Sequence, residues 1–183
     1  NGGAGNDTYR VDDPTDSVGE GPGGGTDTVV SSVDFALGAN VENLVLVGGD
    51  DLEGWGNGLA NLLTGNAGSN LLMGGDGNDT GNGGAGADLM FGGLGNDTYY
   101  VDSPAGGEIV YERYGQGIDT VITTGTIGAL YMNVENVVMA GAADLQVFGN
   151  DLANNIQGNA GNNVLAGGGG ADTLAGGLGN DTY

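Results

Sequence analysis

Large apolar residues recur along this chain with a spacing of nine. Leu63, Leu72, Met90 and Tyr99 fall on one such series, Ile156, Leu165, Leu174 and Tyr183 on another, and Tyr9 holds the same place in an earlier unit. Neither the period of an amphipathic helix nor the sustained alternation of a long strand accounts for this spacing. Each residue is the eighth of a nine-residue unit opened by glycine; the unit occurs ten times and carries Asp at its sixth place in six copies. The three residues after the sixth place suffice for a very short strand, whose alternation turns the eighth residue to one face. The glycines before it supply the backbone conformations of a tight loop. Two loops and two short strands make a coil of eighteen residues, and successive coils stack as parallel strands about 4.8 Å apart. The pattern predicts an all-β fold, a parallel β-roll or β-solenoid of stacked 18-residue coils, with a thin apolar core between two sheets. Gly81 takes an eighth place without a side chain, which predicts a local void or a neighbour that fills it.

Followed beyond the best copies, the sixth place reads Asn43, Asp51, Asn61, Asn70, Asp79, Asp88, Asp97, and again Asn136, Asp144, Asn154, Asn163, Asp172, Asp181, with steps of eight, ten and then nine in both series. A longer repeat encloses the short one. GNDTYRVDDP at Gly5 returns as GNDTYYVDSP at Gly95, GTDTVVSS at Gly25 as GIDTVITT at Gly117, and NVENLVLVG at Asn40 as NVENVVMAG at Asn133. The chain therefore divides into superrepeats at about 2–91 and 92–175 plus the start of a third at 176–183, within one continuous solenoid over 1–183. Each superrepeat holds an irregular arm (11–55 and 101–148) and then a train of nonapeptides. The arms are rich in Val, Ile, Phe and Thr; they are expected to add longer coils to the stack, with a small inserted β-element as the alternative. Because the chain begins and ends inside repeat units, it reads as a piece of something longer.

Composition narrows the chemistry. There are 43 glycines, 24 acidic residues, only Arg10 and Arg113 as cations, no His and no Cys, for a formal charge of −22. Nucleic acid is excluded as a partner because nothing neutralises phosphate, and an anionic membrane surface repels such a chain. No apolar run approaches a membrane span, so membrane insertion is not expected. Without His, Cys or Lys the usual nucleophiles and bases are missing, so no enzyme activity is expected within these residues. Glu42 and Glu135, in matching NVEN motifs, read as structural equivalents rather than as an acid–base pair. Oxygen is the abundant ligand type, which points to calcium. Loops two units apart lie over one another, so Asp79 and Asp97 face across one gap, and glycine carbonyls can complete the six or more oxygens that calcium accepts.

GGDGNDTGN at Gly74, GGAGADLMF at Gly83 and GGLGNDTYY at Gly92 abut directly, and with GGAGNDTYR at Gly2, GGGGADTLA at Gly167 and GGLGNDTY at Gly176 they resemble the calcium-binding nonapeptide of RTX (repeats-in-toxin) proteins. The resemblance implies several Ca2+ ions held between loop pairs by aspartates and by carbonyls of the first loop positions. Carried onto this chain, the best site is Gly74, Asp76 and Asp79 with Gly93, Gly95 and Asp97; Asp88, Asp172, Asp181 and Asp7 are the remaining loop ligands. Asn70 faces Asp88, Asn154 faces Asp172 and Asn163 faces Asp181; these mixed pairs either bind calcium more weakly or form amide ladders without metal. The resemblance further implies a secreted protein exported by type I machinery, extracellular or at a cell surface.

Two other readings stand beside a calcium-folded structural segment: a tandem-repeat adhesin, surface-layer or filament subunit that self-associates end to end, and an accessory module of a secreted hydrolase or epimerase. Trp55, Phe148, Tyr100, Tyr111, Tyr114 and Tyr131 either pack over the sheets and arms or form an aromatic patch for carbohydrate, cell-surface contact or lateral assembly.

Overall fold

The computed structural model describes residues 2–102 and 107–183; the Ser103–Pro104 end of the second GNDTYYVDSP copy lies outside them. Among the described residues every element is a short strand. One sheet has ten strands in chain order: Thr8–Val11, Thr28–Ser31, Asn43–Leu46, Leu62–Thr64, Thr80–Asn82, Thr98–Val101, Thr120–Thr123, Asn136–Met139, Asn155–Gln157 and Thr173–Ala175. The facing sheet runs through Phe35–Ala36, Glu53–Trp55, Leu71–Asp76, Leu89–Leu94 and Ile109–Val110. A further pair, Gln146–Phe148 with Val164–Ala166, is extended by single bridges from Ile127 to Val147 and from Val164 to Thr182. Neighbouring strands pair in parallel throughout. The chain is an all-β parallel solenoid of about nine turns of roughly 18 residues.

Three- and four-residue strands suffice because each turns its second residue inward, and a four-residue strand its fourth as well. Val29, Leu44, Leu63, Tyr99, Val121, Val137 and Ile156 line the large sheet, Leu72, Met90 and Val110 the facing sheet, and Val147 and Leu165 the further pair, all buried. The eighth-place residues are thus the core, with Tyr9 and Leu174 packed against it and partly covered. Tyr183 differs: it is 68% exposed, and its hydroxyl accepts the Gly176 N–H at 2.9 Å. The gap at Gly81 is filled by neighbours. A Cβ there would lie 3.3 Å from Met90 Sδ and 3.6 Å from Tyr99 Cδ1, leaving a residual cavity of about 10 Å3.

Both arms send strands into the ten-stranded sheet and into the sheets that face it, and their coil lengths are irregular. Coil steps are 18 residues in the nonapeptide trains, 20 and then 15 in the first arm, and 22 and then 16 in the second. The register corrects the sixth-place series. Asn43 pairs with Leu62 and Glu53 with Leu71, so Glu42 and Leu52 hold the sixth place, not Asn43 and Asp51. In the second superrepeat Asn136 pairs with Asn155 and Gln146 with Val164, which gives the place to Glu135 and Leu145 rather than Asn136 and Asp144. Register here is fixed by which residue enters the core, Leu44 beside Leu63 and Val137 beside Ile156, and a one-residue slip would turn those side chains outward.

Candidate metal centre

In each acidic loop the strand begins at the residue after Asp, so the carboxylate sits at the junction of loop and sheet. The Asp79 N–H donates to Asp97 Oδ1 at 2.7 Å, placing the two expected partners one coil apart and face to face. The contact recurs along the edge of the large sheet. Asn61 N–H donates to Asp79 Oδ1, Asp97 N–H to Asp119 Oδ1 and Asp119 N–H to Glu135 Oε2, each at 2.8 Å. Asp7 N–H reaches Asp27 Oδ1, and Asp27 N–H reaches Glu42 Oε2, at the same distance. The mixed pairs face one another as expected, with Asn70 N–H to Asp88 at 2.8 Å, and Asn154 N–H to Asp172 and Asn163 N–H to Asp181 at 2.9 Å. These bonds use one oxygen of each carboxylate. One oxygen, Oδ2, of each of Asp7, Asp27, Asp79, Asp88 and Asp97 is buried without a hydrogen-bond partner. A buried charge in that state is strongly unfavourable unless a cation joins it.

Burial raises the pKa of Asp79 from 3.8 to about 7, with further upward pushes from the charges of Asp97 and Asp76. Asp97 is raised to about 6 by burial and then by Glu112. Asp119 is raised to about 7 by burial and the charges of Glu112, Asp97 and Glu135. Asp88 is shifted upward, again by burial first. The loop glycines keep space around these oxygens. A Cβ on Gly74 would overlap Asp79 Oδ2, and the same relation joins Gly83 to Asp88, Gly92 to Asp97, Gly167 to Asp172 and Gly176 to Asp181. Gly93 and Gly95 have φ of 105° and 131°, and a Cβ on either would overlap the carbonyl oxygen of Gly75 or Gly77 in the loop beneath. Gly95→Ala is therefore expected to destabilise the calcium-loaded protein by roughly 2–4 kcal/mol through strain and overlap, read as a lowered melting temperature at saturating calcium.

Buried carboxylates with free oxygens, set among glycine carbonyls, match a hard divalent cation such as calcium. Of the residues expected to bind it, Gly74, Asp79, Gly93, Gly95 and Asp97 come together. Asp76 does not join the buried row; it is exposed and acts on Asp79 through its charge. Asp88 lies in the loop before the facing sheet, under Asn70. Asp7, Asp172 and Asp181 are half-buried. Asp27, Asp119, Glu42 and Glu135 belong to the same carboxylate column and were not anticipated as ligands. An Asp–Thr dipeptide marks the first two: Asp27–Thr28 and Asp119–Thr120 repeat the Asp79–Thr80 and Asp97–Thr98 junctions.

In the Asn loops the side-chain amides hydrogen-bond to the coil before. Asn61 Nδ2 donates to the Val41 and Glu42 carbonyls at 3.1 Å, and its Oδ1 accepts the Asn57 N–H at 2.7 Å. Asn57 Nδ2 donates to the Gly38 and Val41 carbonyls at 2.8 Å. Asn150 and Asn154 repeat the arrangement on Tyr131, Val134 and Glu135. Amide hydrogens thus engage the carbonyls of the preceding coil. The fifth place reaches the other way. Asn78 Oδ1 accepts the Asn96 N–H at 2.8 Å and Asn96 Oδ1 the Ile118 N–H at 2.9 Å, both from the following coil. An Asn–Asp pair therefore bonds its coil to both neighbours.

The aromatic residues divide. Tyr131 is half-buried and its hydroxyl donates to the Glu108 carbonyl at 2.9 Å; Tyr111 makes a tilted ring pair with Phe91 at 5.2 Å; Tyr114 is 88% exposed. Trp55 is half-buried, while Phe148 and Tyr100 are 39% and 43% exposed. Among the described residues no helix is long and apolar enough to cross a membrane. The sequence model of a family described as RTX calcium-binding nonapeptide repeat (4 copies) matches residues 55–90, 64–99 and 148–183. Those ranges contain the consecutive consensus loops and both runs of Asn loops. A search among curated proteins finds no match.

Proposed function

We propose, from the premise that the chain belongs to the RTX calcium-binding nonapeptide-repeat family, that it is a structural segment of a secreted protein whose solenoid closes when calcium enters its loops. The row of buried carboxylate oxygens without partners carries this reading. Asp79 and Asp97, with the loops at Gly74, Gly93 and Gly95, would hold one ion, and Asp88, Asp172, Asp181 and Asp7 belong to further loops of the same kind. Calcium supplies the positive charge that makes close burial of these carboxylates favourable. Where calcium is scarce, as in cytosol, carboxylate repulsion keeps the chain open and fit for export, by type I machinery on the family resemblance. Outside the cell, metal binding and folding become one linked equilibrium. The expected result at neutral pH is loss of the far-UV circular dichroism of β-structure in chelator and its return with excess calcium. A β-signal indifferent to chelator would sink the proposal.

A second reading, an extended array assembling end to end, draws on the arms. Each arm contributes strands that continue the ten-stranded sheet, so superrepeats can follow one another without a break in that ladder. Sedimentation of the calcium-loaded chain distinguishes the two: concentration-dependent growth favours the array, a fixed monomer the isolated segment.

A further inference from the structure

Where the nonapeptide train gives way to an arm, the stacking changes. In the regular loops the N–H of the opening glycine donates to a backbone carbonyl of the next coil: Gly56 to Met73 and Gly149 to Ala166. At Gly92 the next coil is the start of the arm, and the acceptor is a side chain, Glu112 Oε1, at 3.1 Å. The Tyr99 hydroxyl donates to the same oxygen. A glutamate thus stands where other loops meet a neutral carbonyl, and it brings a full negative charge. Its other oxygen, Oε2, is buried and has no partner, as is Asp97 Oδ2. Asp97, Glu112 and Asp119 are 1%, 3% and 1% exposed, and one carboxylate oxygen from each lies within 4.8 Å of the others. The chain contains no Lys or His to neutralise them. The start of the first superrepeat is built from the same parts: Glu20 Oε1 accepts the Gly2 N–H at 2.7 Å and the Tyr9 hydroxyl.

We propose that Asp97, Glu112 and Asp119 form a calcium site of a second kind, at the junction of train and arm, in which an arm glutamate takes over from a loop carbonyl. The proposal rests on the calcium reading of the fold and adds a ligand from outside the nonapeptide. Glu112 has two tasks divided between its oxygens: Oε1 pins the arm to Gly92 and Tyr99, and Oε2 faces the cation. Three carboxylates and an oxygen-only surrounding select a hard divalent ion. The junction site ties the arm's entry to metal binding, so that the irregular coil orders together with the regular ones.

The test counts calcium bound at saturation by equilibrium dialysis with metal analysis, comparing the unaltered chain with Glu112→Gln. Glutamine keeps the size of the side chain and an oxygen for Gly92 and Tyr99, and removes the charge. One ion fewer per chain is expected, with Asp151→Ala, an exposed position, leaving the count unchanged. If Glu112 serves only as a hydrogen-bonding pin, Glu112→Gln binds as many ions as the original, and that result overturns the proposal. A second measurement needs no variant: crystals of the unaltered chain grown in calcium should show an anomalous-scattering peak between Asp97, Glu112 and Asp119. Peaks between the Asp79 and Asp97 loops without one at Glu112 overturn the junction site and leave the family-level reading intact. A chain that takes up no calcium overturns both.

Discussion

Asp97→Ala is expected to raise the calcium concentration needed for folding at least about tenfold. A tenfold change corresponds to about 1.4 kcal/mol, and two independent losses each approach it. Asp97 Oδ1 is the acceptor for the Asp79 N–H, so its removal strands a buried donor, at a cost of about 1–3 kcal/mol. Its free oxygen also lies on the buried edge with Asp119 and Glu135, where a metal ligand would be lost. Asp151→Ala, on an exposed turn, should leave the folding midpoint in place. Calcium titrations followed by circular dichroism give both midpoints, and equal midpoints for the two variants would contradict the assignment of Asp97 to the metal centre.

The second large effect is on pH. Asp79 and Asp119 are raised to about 7 and Asp97 to about 6, from 3.8, chiefly by burial. A carboxylate whose folded pKa lies above its unfolded value binds more protons when folded, so it favours folding at low pH and loses that contribution as pH rises. For these residues the loss runs from about pH 4 to about pH 7, between the ordinary and the raised values. Without metal, the chain should therefore gain β-structure on acidification and lose it toward neutrality. With calcium the order reverses, because protons and calcium compete for the same oxygens. Apparent calcium affinity should fall as pH drops through about 7 to about 6. Circular dichroism across this range, with and without chelator, reads both arms; a metal-free chain equally unfolded at pH 4 and at neutrality would refute the account.

The sequence carried the nonapeptide coils well because glycine punctuates them and the inward residue comes at a fixed count after it. Leu63, Leu72, Met90 and Tyr99 all reach the core on that count. The facing of Asp79 and Asp97 followed from the same arithmetic. In the arms the count fails, because coil lengths change and no glycine loop resets the phase. There the series of Asn and Asp side chains slipped by one residue onto Asn43 and Asp51, away from Glu42 and Leu52, since only core packing fixes the register. The matching NVEN motifs mark Glu42 and Glu135 as equivalent positions, but their place in a carboxylate column shows only when strands are paired. Glu112, in the stretch YERYGQG, had no motif to mark it at all.

The fifth and sixth places of the loops set how strongly one coil grips the next. Where they read Asn–Asp, as at Asn78–Asp79 and Asn96–Asp97, the coil is bonded forward by one side chain and backward by the other. Where alanine takes the fifth place, as at Ala60–Asn61, Ala153–Asn154 and Ala171–Asp172, only the backward side-chain bond is present. Seen as a rod under tension, the solenoid is unevenly sewn. Along the edge of the large sheet its tightest stitching lies at Asn78–Asp79 and Asn96–Asp97, and the alanine-bearing loops of that edge are the seams at which an axial pull parts it first.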